Sequence, residues 1–199
     1  MSQPRTSEHD IHPLFLQRWS PRAFTGEAID EATLLRFFEA ARWAPSGYNA
    51  QPWRFLYARR DTPEWQPVFA ALSEYNQGWA TRASALVVIL SRKVWTPPGK
   101  TEPQAITTHS FDAGAAWANL ALQVTLSGWH AHGIGGFDQD ALRDALNVPQ
   151  DYAIEAVAAI GKQGDKAQLP EALQAREYPN QRHPLRQLVS QGRFTFETE

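Results

Sequence analysis

The chain has 199 residues, 43% of them hydrophobic and 12% aromatic, enough to bury a core without covalent staples. It contains no cysteine, which excludes thiolate-held zinc, iron–sulfur clusters, thiol nucleophiles and disulfide frameworks. With 19 basic against 21 acidic residues the net charge is -2, which gives no field favouring nucleic acid or an anionic membrane surface. The opening MSQPRTSEHDIHPLF has no signal-like apolar run, and no apolar stretch is long enough to span a bilayer. The expectation is a cytoplasmic protein with no nucleic-acid or membrane partner, folding as one domain over 1–199.

RWSPRAF (18–24) sets Arg18, Ser20 and Arg22 on alternate positions, with Pro21 favouring an extended Ser20. In an extended segment these side chains point the same way. Two guanidinium forks flanking a hydroxyl can clamp a phosphate or carboxylate, although spaced arginines also occur on solvated faces. DEATLLRFFEAARW (30–43) predicts a helix capped by Asp30, with Leu34, Leu35, Phe38, Ala41 and Trp43 near one face. The loop that follows, APSGYNAQPW (44–53), is bracketed by two prolines: Pro45 ends the helix and Pro52 favours an extended Gln51. RFLYA (54–58) alternates as a strand, 64–79 reads as an amphipathic helix, and ALVVIL (85–90) as a strand covered on both faces. Residues 94–109 show no periodicity and predict a long loop.

FDAGAAWANLALQVTLSG (111–128) is nearly free of charge and apolar almost all round, so it must be buried. The centre of the fold and the centre of a dimer interface both satisfy that; the small residues favour the interface. GWHAHGIGGF (128–137) reads as punctuation, DQDALRDALNVP as a short helix capped by Asp138, and AIEAVAAIG (153–161) as a second buried strand. The tail REYPNQRHPLRQLVSQGRF carries Arg176, Arg182, Arg186 and Arg193 against one nearby acid, Glu177. Chain ends often lie close in space, so the two basic groups can converge on one dianion.

No GxSxG elbow, HExxH motif or paired-carboxylate arrangement is present. His130 and His132 share a side of an extended segment but lack a third metal ligand, so no metal site is expected. An enzyme built from these residues needs a bound group to carry its chemistry.

The combination RxSxR, then APSxxNxQPW, then GGFD, with ASALVVIL, AIEAVAAIG and RHPL in order, resembles the nitroreductase family of FMN-dependent oxidoreductases. The resemblance runs from about Arg18 to Arg193. It implies an α+β, three-layer sandwich with a central, mostly antiparallel sheet flanked by helices, in an intertwined homodimer with FMN sites at the subunit interface. The periodicity alone equally suits a parallel α/β sheet.

The resemblance makes Arg18 and Ser20 ligands of the FMN phosphate, Arg22 a neighbour of the ribityl chain and flavin O2, and Arg182 with Arg186 the C-terminal phosphate contacts. It makes Pro45, Ser46 and Asn49 a loop that reaches the flavin from the partner subunit, and Asn76 a partner of the ring's pyrimidine edge. Gly135 and Gly136 become the thin backbone beside N5. Tyr48, Trp79 and His132 are candidates for the substrate pocket. Many relatives carry a longer side chain where Ile134-Gly135-Gly136 stands, and some a basic residue near Trp79. The implied activity passes a hydride from NADH or NADPH through flavin N5 to a nitroaromatic, quinone or enone acceptor. An alternative is a non-catalytic FMN-binding, storage or sensing protein; a third is a structural or interaction protein without flavin.

Overall fold

The structure is a computed structural model that describes residues 4–196. In chain order its elements are α1 (Leu14–Gln17), α2 (Glu31–Ala41), β1 (Trp53–Arg59), α3 (Trp65–Ala70), α4 (Glu74–Ala80), β2 (Ala85–Arg92), β3 (Val94–Trp95) and β4 (Gln104–Ala105). Then follow α5 (His109–Leu126), β5 (His130–Ile134), α6 (Gln139–Ala145), β6 (Tyr152–Gly161) and α7 (Glu171–Gln174). Among the described residues no helix is long and apolar enough to cross a membrane.

Four strands form one sheet in the order β1-β2-β6-β5, and every neighbouring pair is antiparallel. The period-2 pleat sends alternate residues to opposite faces, and both faces of the central strands are buried. Ala85, Val87 and Ile89 of β2, with Ala158 and Ile160 of β6, pack against Leu34 and Phe37 of α2 and Ala113, Ala116, Leu120 and Val124 of α5. Leu86, Val88 and Leu90, with Val157 and Ala159, meet Val68 of α3, Trp79 of α4, Leu142 of α6 and Leu173 of α7. Helix, sheet and helix make three layers, the α+β sandwich expected.

Asp30 caps α2 as its residue type predicts, accepting from the Thr33 N–H at 2.7 Å. The buried stripe of α2 is Thr33, Leu34, Phe37 and Ala41, while Leu35 and Trp43 are exposed. The segment 64–79 is broken into α3 and α4, because Leu72 bridges to Phe137 and the Ser73 N–H donates to the Gly136 carbonyl at 3.0 Å. That tertiary pairing outweighs helix propensity.

The segment read as punctuation holds β5. Its histidines and glycine disguise an edge strand whose buried side chains are only Ala131 and Ile134. The expected loop at 94–109 carries the β3–β4 pair. Helix α5 is covered on one side only: Ala113, Ala116, Leu120 and Val124 are buried, whereas Phe111 is 81% exposed and Leu126 also faces out.

A register shift between Ile89 and Leu90 leaves Glu155 as an extra residue on β6, a bulge that aims its carboxylate at the start of α5. Glu155 accepts from the Ser91 hydroxyl and from Ser110 Oγ at 2.8 Å, and the His109 ring lies 2.7 Å from Ser91 Oγ. The N-terminal turn of α5 is thus tied to the sheet.

Leu120 is fully buried between α5 and the sheet. Leu120→Ala is expected to cost about 2–5 kcal/mol of stability, measured by denaturant unfolding at fixed protein concentration.

Candidate functional site

The two ends of the chain build one cleft of about 300 Å³, lined by Arg5, Arg18, Trp19, Ser20, Arg22, His132, Arg176, Tyr178, Asn180 and Arg182. Backbone carbonyls position several of its guanidiniums. Arg5 donates from Nε to Asn180 O at 2.8 Å and from Nη1 to Leu16 O at 3.1 Å and Arg18 O at 2.7 Å. Arg182 Nη1 donates to Gln181 O at 3.0 Å, and Arg18 Nη1 to Ser20 Oγ at 3.2 Å.

These are neutral partners, and among the described residues no carboxylate lies within ion-pair distance of Arg5, Arg18 or Arg182. Burial, then the Arg182 charge, holds Arg18 below the usual guanidinium range; burial, Arg182 and Arg18 do the same to Arg5. An anion placed between them removes that repulsion.

Glu177 joins the tail to the RWSPRAF segment. Its Oε1 accepts from the backbone N–H groups of Arg22 at 2.6 Å and Ala23 at 2.8 Å, and its Oε2 lies 4.0 Å from Arg22 Nη1. Arg22 Nε and Glu177 Oε2 are buried without a hydrogen-bond partner among the described residues. An unpaired buried guanidinium N–H beside the cleft matches a ligand that brings an acceptor.

From the cleft, contacts lead inward to β5 and α4. The His132 Nδ1 lies 3.0 Å from the Pro21 carbonyl, and the ring packs 4.7 Å from Trp79. Burial, the largest cause, lowers the His132 pKa to about 4 despite the Pro21 carbonyl, and the nearby Arg22 charge lowers it further. Trp79 is buried and donates from Nε1 to Asn76 Oδ1 at 3.1 Å. Asn76 Nδ2 in turn donates to the Gly136 carbonyl at 2.9 Å and Ser73 Oγ at 3.1 Å. Both amide hydrogens are committed, so Asn76 can offer a ligand only its Oδ1 as an acceptor. A Cβ at Gly136 would sit 2.7 Å from Asn76 Nδ2, so a side chain there would displace the Asn76 amide from its hydrogen bonds. At Gly135 the corresponding space is open.

The loop 44–53 lies elsewhere in the chain. Asp112 in α5 accepts from the Gly47 N–H at 3.2 Å and from Thr108 Oγ1 at 2.9 Å, and a Cβ on Gly47 would meet Thr108 Oγ1 at 2.9 Å. Tyr48, Asn49 and Gln51 hold φ of 51°, 54° and 47°, the left-handed region that costs a non-glycine residue free energy. Pro52 therefore does not leave Gln51 extended; the Gln51 N–H instead donates to Ser46 Oγ at 3.0 Å. This presents Tyr48 97% exposed. Gly47, Tyr48, Trp95, Pro97, Pro98 and Lys100 line a separate cleft of about 540 Å³.

The nitroreductase family model matches residues 15–162. The chain belongs to the nitroreductase family. A Streptomyces coelicolor protein provisionally named an NADH dehydrogenase/NAD(P)H nitroreductase is 44% identical over 174 residues, 79% of this chain and 85% of that protein. A crystal structure described as an oxidoreductase containing FMN superposes with a TM-score of 0.94 at 45% identity, covering 99% of this chain and all of that one. A protein of Desulfovibrio desulfuricans, provisionally named a nitroreductase and solved in complex with FMN, gives a TM-score of 0.71 at 25% identity, covering 93% of this chain and 99% of that one. The chain is an oxidoreductase of this family.

Of the residues singled out in the sequence, Arg18, Ser20, Arg22, Arg182 and His132 meet in one cleft, and Asn76, Gly135 and Gly136 follow on through Trp79. Arg186 sits in the exposed turn after Pro184 and does not line the cleft. Trp79 serves the core, and Pro45, Ser46, Tyr48 and Asn49 lie with the loop outside the cleft. Arg5, Arg176, Tyr178 and Asn180 are the cleft residues that lie outside the nitroreductase motifs; Arg5 had only its place in a chain end to point to it.

A base whose pKa is lower folded than unfolded binds fewer protons in the native state, so stability falls as pH drops from about 6.5 toward about 4. His132 is expected to account for about 2–3 kcal/mol of that loss. Denaturant midpoints at pH 7 and pH 4, compared between the protein and His132→Gln, isolate it: the variant should lose that much less.

Proposed function

We propose that the cleft holds the phosphate of FMN and that the protein is a homodimeric NAD(P)H-dependent flavin oxidoreductase acting on small electron-poor acceptors. The observation that carries the reading is a cleft of converging arginines, four of them without a carboxylate partner among the described residues, in a chain with solved relatives that contain FMN. The residues fit that group. A phosphate dianion suits fixed, multidentate positive donors, which Arg18, Ser20, Arg182 and Arg5 offer. The unpaired Arg22 Nε matches a carbonyl acceptor such as flavin O2. Asn76 Oδ1 is an acceptor and matches the ring's N3–H donor.

When bound, FMN would supply the redox chemistry, hydride transfer between a reduced nicotinamide and an electron-poor acceptor. The protein's part is binding and orientation. Gly135 and Gly136 would keep side chains away from the ring edge, and Arg22 would meet the negative charge that develops on reduction. His132, neutral at physiological pH, adds no competing charge to the clamp. The open face of α5 with Phe111 and Leu126 is the surface we assign to the second subunit, and the strained loop carrying Pro45, Ser46, Tyr48 and Asn49 reaches toward that subunit's flavin.

Steady-state oxidation of NADH or NADPH with a nitroaromatic or quinone acceptor tests the reading. A flavin-loaded protein that neither nicotinamide reduces would sink it in favour of FMN storage. Arg18→Ala is expected to weaken FMN binding by about 1.5–3 kcal/mol, because it leaves the phosphate underpaired. Titration of flavin-stripped protein, followed by flavin fluorescence, measures the change; unchanged affinity would refute the clamp.

A further inference from the structure

The cleft of about 540 Å³ beside Tyr48 takes no part in the arginine clamp, and two segments distant in the chain build its walls. One wall is the strained loop that carries Tyr48; the other is the β3–β4 hairpin with Trp95, Pro97, Pro98 and Lys100. Asp112 joins them at the base, accepting from the Gly47 N–H at 3.2 Å and from the Thr108 hydroxyl at 2.9 Å. The hairpin is held by the pairing of Trp95 with Gln104 and by the Ile106 N–H, which donates to the Lys93 carbonyl at 2.7 Å. Its tip is a tight turn: the Lys100 N–H donates to the Pro97 carbonyl at 3.0 Å, and Gly99 has φ of 78°. Pro98 supplies the fixed φ of such a turn and Gly99 the positive one, which fixes the backbone from which Lys100 projects.

The volume falls within the ~300–1,000 Å³ of small-molecule sites. Tyr48 and Trp95 offer electron-rich rings, whose faces attract an electron-poor planar ring in offset stacking. Lys100 is the one charged residue in the lining, and among the described residues no carboxylate lies within ion-pair distance of it. Glu102, two residues on, is exposed and does not line the cleft. Asp112 lies behind the wall, 3% exposed, its carboxylate committed to Gly47 and Thr108 at the positive end of α5. The cleft therefore sets one unpaired cation beside two aromatic side chains.

We infer that this cleft receives the electron acceptor and that Lys100 selects planar acceptors bearing an anionic substituent, a carboxylate or sulfonate. The assignment rests on the flavin oxidoreductase reading, in which the Tyr48 loop reaches the second subunit's flavin. Tyr48 and Trp95 take the ring, and the Lys100 ammonium takes the acid group.

The test measures kcat/KM of the flavin-loaded, full-length protein for 1,4-naphthoquinone-2-sulfonate and for uncharged 1,4-naphthoquinone, with NADH or NADPH as donor. The quantity read is the ratio of the two constants, sulfonate over neutral, in the protein and in Lys100→Glu; differences in intrinsic reactivity between the quinones cancel in that comparison. Reversing the charge is expected to lower the ratio by about fivefold or more at low ionic strength. Added salt should lower the ratio in the unmodified protein, because screening weakens attraction at an exposed cation. If Lys100→Glu does not fold, Lys100→Gln serves, with an expected fall of about twofold or more. A smaller fall, with the neutral quinone still reduced, overturns the inference and leaves the oxidoreductase reading standing. Reduction of neither quinone by the flavin-loaded protein overturns both.

Discussion

Five guanidinium groups share one cleft in a chain whose net charge is -2, and like charges brought together out of water repel. Something in the fold must hold them there. Part of the answer is Glu177, a buried carboxylate that grips the backbone of the RWSPRAF segment through two N–H groups and stands beside Arg22. The rest is a set of backbone carbonyls that anchor Arg5 and Arg182 without neutralising them. The arrangement keeps positive charge available for a ligand.

The sheet serves that site from below. Strand β5, at the edge, delivers His132 to the cleft and runs on into Gly135 and Gly136. The break between α3 and α4 places Ser73 and Asn76 against the Gly136 carbonyl. Trp79 closes the gap between these two elements, packing on His132 with its ring and holding Asn76 with its indole N–H. Stability and site geometry are therefore carried by the same residues: loosening Trp79 releases both the core on that face and the orientation of the Asn76 amide.

How much of this was legible in the sequence follows from how local each signal is. Asp30 and Asp138 cap helices through contacts within three residues, and the continuous apolar run of β2 announces a strand covered on both faces. The outer bounds of the cleft were legible too, because alternate spacing put Arg18, Ser20 and Arg22 together and the tail repeated the basic residues. What escaped depends on partners distant in the chain. Strand β5 is a strand because β6 pairs with it, and its His-Ala-His-Gly spelling carries no strong propensity. The segment 64–79 is two helices because Phe137 and Gly136 claim Leu72 and Ser73. Arg5 belongs to the site only because residues 180–182 come to meet it. The direction of the strands came from family resemblance, since alternation reads the same in either sense.

The central claim is that both chain ends combine to hold a phosphate. Calorimetric titration of the flavin-stripped protein with FMN and with riboflavin, which differ in that group alone, tests it most directly. Two or more charge-assisted hydrogen bonds at about 1.5–3 kcal/mol each predict an affinity for FMN at least about a hundredfold higher than for riboflavin, with the gap shrinking as salt is raised. Equal affinity for the two, at any ionic strength, would contradict the account.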